Sequence, residues 1–551
     1  LVDNPGVVIT TGRDDRAPFR RSNILFAAIA IAGFAGVLVL AWIPVSVAVS
    51  QFVVEDTGYY LTTARNVVRG AGVTLDGRNP TNGFHPLWLV ILSAEAWLTD
   101  GSPEWLFHLA LTTCAVLFAA TVQIVYRDVR NRIAPWLAAP VAALMLWNYR
   151  LASVALGGLE TALAGFATVA TISYFARSPE PLTLRRAAGL GALVGVASLS
   201  RMDALLLGAI VIAWVAVRSR HTGFAKAMAI VAVALAVLLV TLIPWFVFSQ
   251  HAVHAWLPRS GEAIRHFTTP PFARPWTAPR VAAATRQTVI GPAGDVANVF
   301  GVWPLVNAGR MTRLGGFVAL AAALTLLAAV AWRERHDLLV RRLLWIPAYA
   351  AAMALYYTQF TSNHLRYLYS PVLAMFYFSC AVTAAWARDR RQTRAPAAAV
   401  WAAAVALAIT TVAGVAAFRN HLGTAASPLG QQALLDDLST WLAARTQPSA
   451  QVGSFNAGMI SFFSGRTTVN LDGVMNDNAL EALRSGTLCE YVDAQGLNYL
   501  ADNRLAIEFF LDADRSCRKR RWRSEWQTVH RVARPIDATA DLQDFVVMQR
   551  R

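Results

Sequence analysis

The chain has 551 residues, of which 56% are hydrophobic and 15% charged, with a mean hydropathy of +0.42. A soluble globular chain carries about 25% charged residues, so disorder and an ordinary soluble enzyme are excluded and a polytopic membrane protein is indicated. Net charge is +16, from 49 basic and 33 acidic residues. The bases stand in short clusters between apolar runs, not on one exposed face, which argues against nucleic-acid binding. It suits cytoplasmic loops that fix topology, or attraction to anionic lipid and phosphorylated substrates. Only Lys226 and Lys519 are lysines; such Arg- and Ala-heavy usage is associated with GC-rich bacterial genomes.

Residues 1–21 read as a cytoplasmic tail whose Arg13, Arg16, Arg20 and Arg21 hold the N-terminus inside. Residues 22–418 read as a transmembrane module. Its first run, Ile24 to Val49, is longer than the roughly 7–15 apolar residues of a cleaved signal peptide and predicts an anchored helix. Arginine clusters follow at 127–132, 177–186, 218–226 (with Lys226), 333–342 and 388–394. If every cluster is cytoplasmic, spans must pair between them, and they do: 134–149 with 159–176, 187–200 with 204–217, 226–249 with 314–332, and 343–360 with 367–387. With 105–126 returning from a first outer loop (50–103) and 397–418 exiting, about eleven spans are predicted. Within that loop Pro86–Leu98 is only ~20 Å of helix, too short to cross, and reads as interfacial. Fusion of 187–200 with 204–217 would invert everything downstream, and the arginine pattern argues against it.

Residues 419–551 have mixed patterning. Gln431–Arg445 is helix-like; Gln451–Phe455, Thr467–Leu471, Ala506–Leu511 and Asp544–Gln549 are strand-like. A small extracytoplasmic α/β domain is predicted, serving as a lid or folding unit or shaping a site through Asn456 and Asp472. Cys489 and Cys517 could pair if this region lies outside the cytosol, whereas Cys114 and Cys380 lie in apolar runs and read as packing residues.

Ionisable residues at membrane depth are costly and mark function by default. Glu55 and Asp56 follow the first span, His85 opens the interfacial run, and Glu160 follows Gly157-Gly158. Arg201 and Asp203 sit at a tight turn, His251, His254 and Arg259 follow the seventh span, and His364 and Arg366 lie between the ninth and tenth. On this topology all fall at outer helix ends. Each has a structural alternative. Glu55-Asp56 could cap a helix, Glu160 could favour a helix dipole, Arg201 and Asp203 could pair only with each other, and His364 could be a loop histidine. His251 and His254 are one turn apart, but two histidines without a third ligand are weak grounds for zinc.

The first outer loop reads Val-Val-Glu-Asp-Thr-Gly-Tyr-Tyr-Leu-Thr-Thr-Ala-Arg-Asn-Val-Val-Arg-Gly over 53–70, then Asn79-Pro-Thr-Asn-Gly-Phe-His-Pro-Leu-Trp88. An acidic pair after the first span, a tyrosine-rich interfacial helix and a His-Pro step resemble the GT-C superfamily of membrane glycosyltransferases. Protein O-mannosyltransferases, the aminoarabinose transferase of lipid A and mycobacterial arabinofuranosyltransferases belong to it. Gly-Leu-Glu-Thr-Ala-Leu (158–163), Leu-Ser-Arg-Met-Asp (199–203), Leu-Pro-Arg-Ser (257–260) and Arg-Tyr-Leu-Tyr-Ser-Pro (366–371) resemble segments of bacterial members. Gly-Ser-Phe-Asn-Ala-Gly (453–458) and Val-Asn-Leu-Asp-Gly (469–473) resemble their outer domain.

The resemblance implies sugar transfer from a polyprenyl-phosphate donor to a cell-envelope glycan, lipid or protein, at the outer face of a bacterial plasma membrane. Arabinofuranose or mannose is the first expectation for the sugar. In that family the first-loop acid is the base: here Asp56, with Glu55 beside it. Forked guanidinium groups suit the departing lipid phosphate, and Arg366, Arg201 and Arg259, with His364, are the candidates. Tyr59, Tyr60, His85, Trp88, Asp203 and His254 are candidates for substrate contact, although aromatic residues also line membrane interfaces. Single displacement with inversion is expected; a covalent route through Asp56 and Glu160 needs carboxylates about 5 Å apart. No cofactor is expected, with a divalent cation as the option that Glu55, Asp56 and Glu160 would serve. The rivals are a lipid-substrate flippase, which usually shows internal repeats that are not found here, and a non-catalytic envelope scaffold.

Overall fold

A computed structural model of the chain describes residues 17–267, 310–358, 365–389, 430–535 and 542–551, with isolated positions between 268 and 309. The expected span 397–418, most of the N-terminal tail and His364 lie outside these residues. The protein is a multi-pass, mostly helical membrane protein carrying a C-terminal α/β domain.

Among the described residues five helical stretches are long and apolar enough to cross a bilayer: Pro103–Ile133, Met202–Thr222, Phe224–Val253, Leu338–Tyr357 and Leu365–Arg388. Two expected spans are bent, which corrects their reading as single helices. Ile24–Leu40 turns by 113° into Val45–Gln51, and Pro135–Leu146 turns by 62° into Tyr149–Ala155. The first bend precedes Pro44, which disfavours helix in the residue before it. At the second, the Asn148 side chain accepts the Leu151 N–H and restarts the helix. Counting each bent pair once gives up to seven spans among the described residues, by length and composition. Thr161–Arg177 and Leu184–Ser200 have 17 residues each, ~25 Å of helix against a core of about 30 Å. The apolar part described for the expected span 314–332, Leu320–Arg333, is likewise short.

Members of four of the arginine clusters make ion pairs between distant segments. Arg177 pairs with Asp128, which also accepts the Tyr377 hydroxyl at 2.9 Å. Arg218 and Arg342 share Glu180 at 2.6 and 3.0 Å, and Arg388 reaches Asp337 at 2.8 Å and the Ile133 carbonyl at 2.9 Å. Segments far apart in sequence are thus tied at one end of the bundle. Leu184–Ser200 lies close against Phe224–Val253, where Gly191 faces the Ala234 carbonyl and Gly195 faces Thr241. Small residues let membrane helices approach in this way, and the contact fixes the turn at Arg201.

The C-terminal sheet has five strands: β1 Gln451–Ser454, β2 Thr467–Asn470, β3 Tyr499–Asn503, β4 Trp526–Pro535 and β5 Leu542–Arg550, in the order β2-β1-β3-β5-β4. β1 pairs in parallel with β2 and β3; β5 pairs antiparallel with β3 and β4. Ala506–Leu511 is helical, not a strand. It lies within Arg504–Ala513, where Asn503 caps the Leu505 N–H and the buried residues Ile507 and Leu511 are one turn apart. Cys489 and Cys517 form a disulfide with Cα atoms 5.0 Å apart, while Cys114 and Cys380 are buried thiols.

The domain is joined to the first outer loop by a backbone contact. Gly58, in helix Asp56–Val68, lies against Gly458, in helix Ala457–Ser464. A Cβ on Gly58 would overlap the Gly458 carbonyl, and one on Gly458 would lie 2.5 Å from the Glu55 carbonyl oxygen. Glycine costs ~1 kcal/mol against alanine in a helix, and here that cost permits the approach. Around it, Thr62 and Ser461 hydroxyls bond at 2.9 Å, and the Tyr59 hydroxyl accepts the Ala457 N–H at 3.1 Å.

Gly458→Ala should therefore lower the unfolding midpoint of detergent-purified protein, by overpacking worth about 1–3 kcal/mol; an unchanged midpoint would contradict the contact. Alkylation without reductant should spare Cys489 and Cys517, and reduction should expose both to label.

Candidate active site

The two helices that meet at the Gly58–Gly458 contact and the neighbouring helix ends line a cavity of about 1000 Å³. Ten of the thirteen predicted residues line it: Glu55, Asp56, Tyr59, Tyr60, His85, Glu160, Arg201, Asp203, Arg259 and Arg366. Two do not. Trp88 is fully buried and donates its indole N–H to the Gly158 carbonyl at 3.3 Å, so it packs the wall from behind. His254 is the exposed left-handed cap of helix Phe224–Val253, which runs past its expected end and leaves the histidine outside the lining. Among the described residues no three His, Cys, Asp or Glu side chains form a metal-ligand group.

Glu55 stands at the N-cap position of helix Asp56–Val68 and Glu160 at that of Thr161–Arg177, but their side chains do not cap. Asp56 Oδ2 instead meets Arg366 Nη1 at 2.7 Å. The Glu55 Oε1 atom accepts the Gly458 N–H at 2.7 Å. Burial, reinforced by the charges of Asp56 and Asp472, holds the Glu55 carboxyl well above the usual carboxylate range. The pair is therefore divided: Asp56 has a guanidinium partner that favours the charged carboxylate, and Glu55 has the environment of a neutral acid.

Arg366 is suited to a ligand phosphate. Nη2 donates to the Tyr367 hydroxyl at 2.8 Å, and the guanidinium lies over that ring, 4.8 Å from its centroid. Its Nε is buried without a hydrogen-bond partner among the described residues. Arg259 divides its charge between Glu262 (2.8 Å) and Asp477 (3.4 Å), and its backbone N–H is held by Asn82 Oδ1 at 2.9 Å.

Arg201 is different. Its Nη1 meets Glu160 Oε1 at 2.7 Å, Nη2 meets Asp203 Oδ2 and the Tyr357 hydroxyl at 2.8 Å each, and Nε meets Asp203 at 3.2 Å. Two carboxylates and a phenol occupy its donors, so the geometry makes it a holder of Glu160 and Asp203 and not a free phosphate ligand. Glu160 Oε2 also accepts the Tyr60 hydroxyl at 3.1 Å, and the Tyr60 oxygen in turn accepts the His85 backbone N–H at 3.0 Å. His85 Nε2 lies 3.6 Å from Glu160 Oε1, while burial holds the imidazole below its ordinary pKa and Nδ1 has no partner among the described residues.

Sequence reasoning missed Tyr357 and Tyr367, which stack at 4.8 Å between the two arginines. Their signal was two tyrosines at the helix ends flanking Arg366. Gly458 was quoted only as part of a motif, and its role requires knowing which residue it faces.

Comparison with solved structures yields the fold. The chain is similar to ArnT from Cupriavidus metallidurans bound to undecaprenyl phosphate, at 14% identity over 95% of this chain and 97% of that one, with a TM-score of 0.56. It is similar to the apo Archaeoglobus fulgidus oligosaccharyltransferase at 13% identity over 89% of this chain and 70% of that one, with a TM-score of 0.50. The fold is thus of the GT-C type. A sequence-family profile described as a domain of unknown function (DUF8728) matches residues 425–547. No curated protein matches the chain by sequence.

Removing Arg201 strands Glu160 and Asp203. Arg201→Gln should destabilise the protein by about 3–5 kcal/mol, seen as a large fall in unfolding midpoint in detergent. A fall no greater than that of an exposed Arg→Gln control, such as Arg518→Gln, would contradict the assignment.

Proposed function

We propose that this GT-C-type protein transfers a sugar from a polyprenyl-phosphate donor to an acceptor hydroxyl, in this cavity, on the extracytoplasmic side of a bacterial plasma membrane. The observation that carries the reading is the Asp56–Arg366 pair at 2.7 Å. One guanidinium links the carboxylate that takes a proton to the place where a phosphate leaves.

The acceptor oxygen attacks the anomeric carbon while its proton passes to Asp56, acting as general base. The bond from that carbon to the phosphate oxygen breaks, and polyprenyl phosphate departs as an anion that needs no protonation. Arg366, through its unpartnered Nε, stabilises the charge developing on that oxygen, with Arg259 as the second cation. Attack opposite the leaving group inverts the anomeric carbon. Glu160 is held by Arg201 and Tyr60, which favours single displacement over a covalent glycosyl intermediate. Tyr59, Tyr60 and Tyr367 offer ring faces to the sugar.

Several facts support the setting. The ArnT of Cupriavidus metallidurans was solved with undecaprenyl phosphate, the leaving group proposed here. The Cys489–Cys517 disulfide suits an oxidising compartment. The arginine clusters tied at one end of the bundle suit the cytoplasmic face. Arabinofuranose and mannose are the proposed sugars, and an envelope glycan, lipid or protein the acceptor.

Reconstituted protein given radiolabelled decaprenyl-phosphate arabinofuranose or mannose, with membrane envelope acceptors, should form a labelled product. Asp56→Asn should lose about 10²–10⁴-fold in rate while still binding undecaprenyl phosphate. Undiminished transfer by the variant, or none by the wild type with either donor, would overturn the reading.

A further inference from the structure

We propose that the C-terminal domain builds the acceptor side of this cavity and selects a neutral polyol, a glycan uncharged near its reacting hydroxyl, with Asn456 and Asp472 as the hydrogen-bonding pair. This deepens the glycosyl-transfer reading and rests on it.

The cavity carboxylates fall into two groups. Asp56, Glu160, Asp203 and Glu262 each have an arginine within 2.8 Å. Among the described residues Asp472 and Glu55 have none. Both line the cavity, Asp472 from the C-terminal domain and Glu55 through its bond to the Gly458 N–H of that domain. A phosphate is drawn to the arginines. An acceptor carrying its own phosphate or carboxylate beside the reacting hydroxyl would find no arginine paired to these two carboxyls to compensate it, whereas neutral hydroxyl groups would find carboxyl and amide oxygens to accept their protons.

The domain presents these acceptors rigidly. Asp502 is completely buried beneath the turn after β1. It accepts the Ser454 hydroxyl at 2.9 Å and the N–H groups of Phe455 and Asn456 at 2.8 and 2.7 Å. Its other oxygen takes the Asn456 Nδ2 at 2.8 Å and the Asn503 N–H at 2.6 Å. The Asn456 amide is thereby fixed with its nitrogen inward, and its carbonyl oxygen is the atom left for a ligand. The same turn delivers the Gly458 N–H to Glu55. Asp472 is set by its own turn, in which Oδ1 accepts the Val474 N–H at 2.8 Å and Gly473 has φ +82°. Val474 and Met475 complete this wall with apolar surface, as the C–H faces of a sugar require. Burial also pushes the Asp472 carboxyl up to about 7, which lets it donate as well as accept near neutral pH.

Full-length protein saturated with undecaprenyl phosphate should be titrated with octyl mannobioside, its 6-phosphate, and a neutral serine peptide. The neutral glycoside should bind best. Asp472→Ala should weaken it roughly tenfold, the loss of one hydrogen bond to a charged or half-charged group. Asp472→Asn, which keeps the shape, should narrow the discrimination against the phosphate at least several-fold while leaving undecaprenyl phosphate affinity unchanged. Equal or tighter binding of the phosphorylated glycoside, preference for the peptide, or indifference to both substitutions would overturn this subsite. If the wild type fails to bind undecaprenyl phosphate, the transfer reading itself falls, and the two failures are separable.

Discussion

Helix Asp56–Val68 and helix Ala457–Ser464 touch backbone to backbone because Gly58 and Gly458 leave no side chain between them. Residues 400 positions apart in sequence are thereby placed within hydrogen-bonding distance, and the cavity takes its shape from this contact. It lets Gly458 donate to Glu55, sets Tyr59 under the turn that carries Asn456, and places Asp472 in the same cavity as the acidic pair.

Charge is distributed unevenly over the resulting space. Arg201 is buried and compensated by Glu160 and Asp203, a unit that holds three helix ends in register and contributes little free positive potential. Arg366 pairs with Asp56 and keeps a donor in reserve. The acidic residues near the C-terminal domain lack cations of their own. One chamber thus offers an end where carboxylates are paired with arginines and an end where carboxyls have no arginine among the described residues, and Asp56 adjoins both Arg366 and Glu55. That arrangement suits a reaction in which a phosphate must leave while a hydroxyl on the other side gives up a proton.

Much of this was legible from the chain. The bilayer's demand for apolar helix fixed most spans, and the expense of burying charge singled out Glu55, Asp56, Glu160, Arg201 and Arg366, because such residues are rare in apolar sequence. The bend at Pro44 was hidden within a continuous apolar run, where hydropathy is insensitive to direction, and the bend at Asn148 falls at the end of the expected span 134–149. Ala506–Leu511 looked like a strand because a short apolar run does not declare its period, and Asn503 as a cap was the overlooked signal. Trp88 and His254 show the limit of residue type as a guide: one is turned into packing and the other capped into solvent by the helix it terminates. The partners of Arg201 and the facing of two glycines are long-range facts, set by packing, which a single sequence does not display.

The most direct test of the central claim is a structure of the full-length protein with undecaprenyl phosphate bound. The phosphate should lie in the cavity, with an oxygen within hydrogen-bond reach of Arg366 Nε and with Asp56 beside it. A lipid phosphate held elsewhere, with Arg366 and Asp56 untouched, would contradict it.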